Sequence, residues 1–478
     1  MDEQRIADIV HRVLGELQNQ PASAPASSGH TPTCMGGAVS GGRDGVFENI
    51  EDAIAAAKRA FQQFRVVPLN ERKKYIKLIR EVSHQHNDEW SRFTIQDTKM
   101  GRVDHKILKN GMAANLTPGV EDLETLAVTG SRGLMMEEYA PFGVIGTITP
   151  TTNPVATVIN HSIAMLSAGN TIVFGPHPNA VACTLQSMQV INRALTDAGA
   201  PANLMTSVAE PSLRTAKTIM THDDISLLVV TGGPAVVRAA MESPKRAIVA
   251  GPGNPPAVVD ETADIQNAAV SVYEGSCFDN NLPCITEKSC FVVSSVFDEF
   301  ISAIRQRGAY LLDRAQTETL TRALITPDNH VNKDYIGKDA AVVAQQALGL
   351  SVPANCELLI AEVDRNHPYI VHEMMIPVLG MVRVNSYEEA IQAAFEAEHG
   401  FGHTAIIHSR RIDRITEFAR LMNCNLFVAN ASCGACLGNG GEGYTAFTIA
   451  GKSGEGPCTP KTFSRKRRFA IAKDMRFV

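Results

Sequence analysis

Ile225-Ser226-Leu227-Leu228-Val229-Val230-Thr231-Gly232-Gly233-Pro234 runs from an apolar segment through two glycines to a proline. Ile225 to Val230 is short and apolar at nearly every position, the pattern of a strand buried on both faces. Thr231-Gly232-Gly233 reads as a turn, and Pro234 opens a helix at the position where its missing N–H costs nothing. Working upstream, Val144 to Thr149, Thr171 to Gly175 and Met205 to Val208 are strand-like. Pro154 to Ser167, with Gly169 beyond its end, and Ala180 to Ala198 are helix-like. Such alternation implies parallel strands joined by crossover helices, so the fold class is α/β. Farther upstream, Asn49 to about Asn115 is helical, as in Ile54-Ala55-Ala56-Ala57-Lys58-Arg59-Ala60-Phe61 and Tyr75-Ile76-Lys77-Leu78-Ile79.

The Thr-Gly-Gly-Pro turn falls where a doubly wound sheet binds ligands, at the carboxyl end of a strand with helix amides facing a phosphate. Short glycine turns also occur there without a ligand, and no Gly-x-Gly-x-x-Gly or Walker sequence is present. The motif alone leaves both readings open.

With 478 residues the chain exceeds one ordinary domain, so two domains or one two-lobed enzyme are expected. Its 44% hydrophobic and 20% charged residues and net charge of −6 are those of an ordinary globular protein and give no reason to expect nucleic acid. The basic run Arg465 to Arg468 reads as a solvated edge strand or subunit contact. Ten cysteines without regular spacing do not form a secreted disulfide framework, and no apolar run reaches membrane-spanning length. A reducing cytosol fits. Cys433-Gly-Ala-Cys436 lacks a second pair or a histidine at ligand spacing, so it reads as two small residues in a glycine-rich loop, with no metal site.

Asn280-Asn281-Leu282-Pro283-Cys284-Ile285-Thr286-Glu287 puts one cysteine in a polar, proline-braced turn. It follows the helix-compatible stretch Thr262 to Glu274 and precedes a Val-rich strand, Ser289 to Ser294. Cys284 is therefore a candidate nucleophile, since thiolate is the reactive form of cysteine. Asn153, just before Pro154, reads from the residues alone as a helix N-cap. Glu373 on a polar turn reads as solvated.

Residues 1–20 carry Ile6, Ile9, Val10, Val13, Leu14 and Leu17 at helical spacing, the pattern of a short amphipathic helix. Pro21 to Cys34 reads as a flexible linker, so the helix is free to dock on a partner or to fray from the body. Asp2 and Glu3 and the interrupted apolar positions argue against a secretory signal.

Several motifs, in order, resemble the aldehyde dehydrogenase superfamily over nearly everything after the linker. Thr149-Pro150-Thr151-Thr152-Asn153-Pro154 is similar to its Pro-Trp-Asn-Phe-Pro region, and Val230-Thr231-Gly232-Gly233 to its Phe-Thr-Gly-Ser turn. Glu373-Met374-Met375-Ile376-Pro377-Val378 is similar to its Glu-x-Phe-Gly-Pro-Val, with Met375 and Ile376 replacing Phe and Gly. The Cys284 loop and Ala250-Gly251-Pro252-Gly253-Asn254-Pro255-Pro256 resemble the CoA-acylating acetaldehyde and propionaldehyde dehydrogenases. The N-terminal peptide and linker are similar to encapsulation peptides of enzymes packed inside bacterial microcompartments.

The resemblance implies two doubly wound parallel-sheet lobes plus an oligomerisation arm. The expected division is a helix at 1–20, a linker at 21–36, a dinucleotide-binding lobe at 37–250, a lobe carrying Cys284 at 251–435, and an active-site-mouth loop plus arm at 436–478. The arm would combine segments near Ala127 to Glu138 and Thr462 to Phe477 in a homo-oligomer, a dimer or tetramer. The loop Gly434 to Gly456 would cover the site, though a flexible surface loop reads equally well.

The resemblance also implies roles. Cys284 would be the nucleophile and Asn153 an oxyanion donor. Thr149, Pro150 and Thr151 would line the nicotinamide approach, Thr231, Gly232 and Gly233 the pyrophosphate, and Glu373 would bind the nicotinamide ribose. His177 stands where many relatives carry a lysine at the adenosine ribose, which favours NAD over NADP. Hydrolytic relatives keep a glutamate base at the position of Ala250. Without it, water attack on a thioester loses roughly 10²- to 10⁴-fold, and the thiol of CoA takes over. The implied activity is NAD-dependent conversion of a short-chain aldehyde, acetaldehyde or propionaldehyde, to acyl-CoA in a microcompartment lumen, with a shell protein as partner. A hydrolytic or phosphorylating dehydrogenase and a catalytically silent cargo protein are the rivals.

Overall fold

The computed structural model describes residues 44–353 and 355–475. The helix and linker expected at residues 1–36 lie outside the described residues. Two parallel sheets organise the rest. The first is ordered Val46–Phe47, Met205–Val208, Thr171–Gly175, Val144–Ile148, Ile225–Thr231, Ala247–Ala250. From Val144–Ile148 the chain winds outward in one direction, then crosses back to Ile225–Thr231 on the other side. The carboxyl ends of these two adjacent strands define the switch point, so Thr149 and Thr231-Gly232 come to lie side by side.

The second sheet is ordered Tyr310–Leu311, Leu359–Glu362, Val378–Val384, Ser289–Val293, Pro256–Val259, Thr404–His408, Leu426–Ala429, and is also wholly parallel. Pro256–Val259 and Ser289–Val293 at its centre are buried throughout and, apart from Ser289, apolar, as sheets covered on both faces require. The two sheets turn opposite strand ends to one cavity. Thr149, Thr231 and Ala250 end strands of the first, Cys284 and Glu373 precede strands of the second, and all five border one cavity.

A small antiparallel sheet stands apart, with Gly133–Pro141 between Leu126–Gly130 and Ser464–Ala472. The basic run lies on its edge strand. Lys466 and Arg468 reach Glu137 at 3.2 and 3.0 Å, and the remaining charge keeps the open edge from pairing indiscriminately. Phe469, Leu126 and Val128 are exposed there.

Upstream lie four helices: Ile50–Phe64 packs on the first sheet, whereas Leu69–Gln85, Asn87–Thr98 and Val103–Leu116 pack on one another and on the helices Pro154–Ser167 and Val181–Asp197. Asn49 caps Ile50–Phe64 by accepting from Glu51 N–H. Val103–Leu116 has a weakly patterned sequence because its inward face carries Lys106, Lys109 and Asn110, all buried, beside Met112 and Ala113. Near the sheet edge, Gly169 ends the helix Pro154–Ser167 in the left-handed region at φ +85°.

The helix Ile265–Cys277, which leads to Cys284, contains a position with no room for a methyl group. A Cβ on Gly275 would stand 1.9 Å from the buried Glu287 carboxylate. Gly275→Ala is expected to cost about 1–3 kcal/mol by overpacking, despite the better helix propensity of alanine. Chemical denaturation measures it, and unchanged stability would contradict this packing.

Candidate active site

The turn before Cys284 is built from residues that tolerate left-handed backbone. Asp279, Asn280 and Asn281 have φ of +48°, +55° and +63°, a conformation that Asn and Asp adopt more readily than other side-chain-bearing residues. Their side chains hold the turn. Asn280 donates to the Gly337 carbonyl at 2.9 Å and to Asp339 at 2.8 Å, and Asn281 donates to the Ser276 and Glu287 carbonyls at 2.8 and 3.0 Å. The amide-rich spelling of the loop thus reflects a backbone requirement.

A buried ammonium closes the turn from inside. Lys288 Nζ donates to Asn281 Oδ1 at 2.8 Å, to Thr286 Oγ1 at 2.9 Å, to the Pro283 carbonyl at 3.2 Å and to the Asn281 carbonyl. Burial pulls this lysine down to about 8, with Glu373 acting in the opposite sense. Cys284 itself is half-buried and faces the cavity. Burial pushes its thiol up to about 12 and Glu373 adds to the rise, against the pull of Lys288 and Lys109. Both effects favour the protonated thiol over the thiolate.

Asn153 occupies the N-cap position of Pro154–Ser167, yet its side chain makes no cap hydrogen bond. The capping role expected from the residues alone is therefore corrected. Its Oδ1 accepts from Lys109 Nζ at 2.6 Å, and its Nδ2 donates to Thr152 Oγ1 at 3.1 Å. Lys109 also donates to Asp279, which accepts from Lys106 at 2.8 Å as well. All three charges are buried. Burial pulls Lys109 below its ordinary range, while the Asp279 carboxylate beside it favours the ammonium form. Burial raises the Asp279 carboxyl, but the two lysines outweigh it and hold the group below its ordinary range.

Every site residue expected from the sequence borders the same cavity of about 1810 Å³: Cys284, Asn153, Thr149, Pro150, Thr151, His177, Thr231, Gly232, Gly233 and Glu373. That volume exceeds the roughly 300–1,000 Å³ of a drug-sized pocket and suits a dinucleotide together with a small substrate. The hydroxyls of Thr149, Thr151 and Thr231 are buried there without a protein partner, which fits a polar ligand in the cavity. Gly232 borders the cavity as well. Its N–H already donates to the Ala250 carbonyl at 3.1 Å, so it offers the cavity a bare Cα and no donor. His177 Nδ1 accepts from Asn179 N–H at 3.1 Å, and burial lowers its basicity, leaving a neutral ring. Ala250 presents only a methyl group to the cavity.

The glycine-rich loop after Ser432 is a wall of this cavity. Cys433, Gly434, Leu437, Asn439 and Phe447 line it. Thr445 N–H bonds the Leu116 carbonyl at 3.0 Å, and Phe447 N–H bonds Asn160 at 3.2 Å. Cys433 and Cys436 are free thiols, and Cys433 N–H donates to Glu287 at 3.0 Å. Among the described residues no cluster of His, Cys, Asp or Glu could hold a metal ion.

Sequence reasoning missed Lys106, Lys109, Asp279, Lys288 and His403. The last is a buried neutral ring whose Nε2 has no partner and which packs beside Gly253 and the Cys284 turn. The three-residue spacing of Lys106 and Lys109 was visible. The carboxylate they share lies 170 residues beyond Lys109, out of reach of any local pattern.

Comparison with known proteins places these features. The family model described as "Aldehyde dehydrogenase family" matches residues 36–451. The acetylating acetaldehyde dehydrogenase EutE of Salmonella typhimurium is 43% identical, covering 100% of both chains. A Rhodopseudomonas palustris propionaldehyde dehydrogenase, solved with bound CoA and an acylated cysteine, superposes with a TM-score of 0.89 at 42% identity, covering 90% of this chain and 98% of the other. A propionaldehyde dehydrogenase from the fucose utilisation microcompartment of Clostridium phytofermentans gives a TM-score of 0.89 at 43% identity, covering 91% and 100%.

The raised thiol sets a pH dependence. Alkylation of Cys284 by iodoacetamide in the cofactor-free protein should accelerate about tenfold per pH unit from pH 7 to 10, because only the thiolate reacts and its fraction grows throughout that range. Mass spectrometry of the Cys284 peptide follows the reaction. A rate that levels off below pH 9 would contradict the burial argument.

Proposed function

The chain belongs to the aldehyde dehydrogenase family, and on that premise we propose that it oxidises a short-chain aldehyde, acetaldehyde or propionaldehyde, to the acyl-CoA through a thioester on Cys284. The observation that carries this reading is the pairing of a cavity-facing cysteine with a bare methyl, Ala250, where hydrolytic relatives keep their base. Overall, aldehyde, NAD⁺ and CoA give acyl-CoA, NADH and one proton.

Cys284 sulfur adds to the aldehyde carbon as the C–S bond forms, and its proton passes to solvent as the one proton the overall reaction releases. The carbonyl oxygen becomes an oxyanion. The Asn153 Nδ2 hydrogens and the Cys284 backbone N–H receive it, an interaction worth about 3–4 kcal/mol in the transition state. NAD would be held by Glu373, His177 and the Thr149–Thr151 and Thr231–Gly233 turns, and would supply the acceptor for the hydride that leaves the thiohemiacetal carbon as it becomes a thioester. Because Ala250 cannot deprotonate water, the thioester persists until a better nucleophile arrives. The thiol of CoA is partly ionised near neutral pH and needs less help.

Two further assignments complete the reading. Residues 1–20 dock the enzyme on a microcompartment shell protein and hold it in the lumen, supported by the apolar stripe of that segment and by the microcompartment origin of one structural relative. The three-stranded sheet around Gly133–Pro141 serves as the oligomerisation arm, supported by its exposed Leu126, Val128 and Phe469.

Without CoA, one burst of NADH per active site is expected, followed by near arrest, and CoA should restore turnover. Stopped-flow absorbance reads both phases. Sustained NADH production without CoA would favour the hydrolytic rival, and wild-type turnover by Cys284→Ala would remove the covalent mechanism altogether.

Deleting residues 1–20 should leave specific activity within a small factor and abolish co-purification with co-expressed shell protein. Retained co-purification of the truncated chain would overturn the docking assignment.

A further inference from the structure

We propose that Lys109 is a positioning residue for the oxyanion donor: anchored on the buried Asp279, its ammonium fixes which way round the Asn153 carboxamide faces Cys284. The inference rests on the reading of Asn153 as oxyanion donor and adds a residue that this reading did not require.

A carboxamide has two nearly isosteric faces with opposite chemistry. Its NH₂ stabilises an oxyanion, whereas its oxygen repels one. Nothing in the covalent structure of Asn153 selects between them, and the N-cap bond that would ordinarily orient such a side chain is not made. Lys109 makes the selection. An ammonium has three donors and no acceptor, so the atom of Asn153 that faces it at 2.6 Å is the oxygen. The NH₂ is thereby turned to the other side, toward Thr152 Oγ1 at 3.1 Å and the cavity that also contains Cys284.

The lysine is itself held. It is buried, and its ammonium also donates to Asp279 and to the Thr152 carbonyl at 3.2 Å. Asp279 in turn accepts from the Arg102 backbone N–H at 3.0 Å and from Lys106 at 2.8 Å, and its own N–H donates to His105 Nδ1 at 2.8 Å. The helix Val103–Leu116 therefore reaches the nucleophile turn and the oxyanion amide through one carboxylate. Of the two lysines on Asp279, only Lys109 touches Asn153.

The test is a double-mutant cycle read by the single-turnover NADH burst, with NAD affinity measured by fluorescence titration. Lys109→Met should slow the burst about 10- to 100-fold, with NAD affinity unchanged within about threefold. In an Asn153→Ala background the same change should slow it by no more than about threefold further, because there is no amide left to orient. Equal losses from Lys109→Met in both backgrounds would overturn the proposal, as would a wild-type burst from Lys109→Met alone. A wild-type burst from Asn153→Ala would overturn the oxyanion reading and this proposal with it. A slow Asn153→Ala burst with multiplying losses removes only the role of Lys109. If Lys109→Met does not fold, Lys109→Gln keeps a neutral donor and runs through the same cycle. A loss that vanishes in the Asn153→Ala background supports the proposal, and an undiminished loss overturns it.

Discussion

One buried carboxylate, Asp279, joins the parts of the site that the chain supplies from far apart. It sits in left-handed backbone at the start of the nucleophile turn and accepts from two lysines of an upstream helix. A lone buried charge would cost several kcal/mol. The pairing offsets that cost without making the cluster a strong source of stability, because removing two ammonium groups from water is costly in itself. Its contribution is geometric. Two cations and one anion in a dry interior have few satisfactory arrangements, and the one adopted aims Asn153 and seats the turn that carries Cys284.

A second buried cation does the same on the other flank. Lys288 gathers the oxygens of the nucleophile turn around its ammonium. The turn is thus held by hydrogen bonds to one charge, where a β-hairpin or helix would be held by its own backbone. Such a turn can bring a cysteine to a cavity wall in a conformation that no regular element provides. Three consecutive left-handed residues each carry a conformational cost, which their side-chain hydrogen bonds offset.

The cavity is lined by opposite strand ends of the two sheets. The first presents the carboxyl ends of its strands, with unpaired threonine hydroxyls and glycine turns that let a ligand approach the backbone. The second presents the loops that precede its strands, including the cysteine turn. The threonine and glycine turns thus share one cavity with Cys284, and residues of the Cys433–Phe447 loop form part of its wall. Exclusion of water suits a thioester that must outlast hydrolysis until a thiol arrives.

The sequence by itself determined the alternation of strands and helices. Pro154–Ser167, Thr171–Gly175 and Met205–Val208 coincide with their sequence boundaries, because apolar periodicity and proline or glycine punctuation are local properties. Through motif order it also singled out Cys284, Asn153, Glu373 and the Thr-Gly-Gly turn, which line one cavity. Elsewhere it misled or was silent. It favoured a cap for Asn153 and solvent for Glu373, whereas Asn153 is taken by Lys109 and Glu373 by the cavity wall. Lys106, Lys109 and Lys288 look like surface residues in any local window. Only the tertiary structure decided their burial, because an ammonium is tolerable inside a protein only when a carboxylate or a ring of carbonyl oxygens from distant chain segments meets it there.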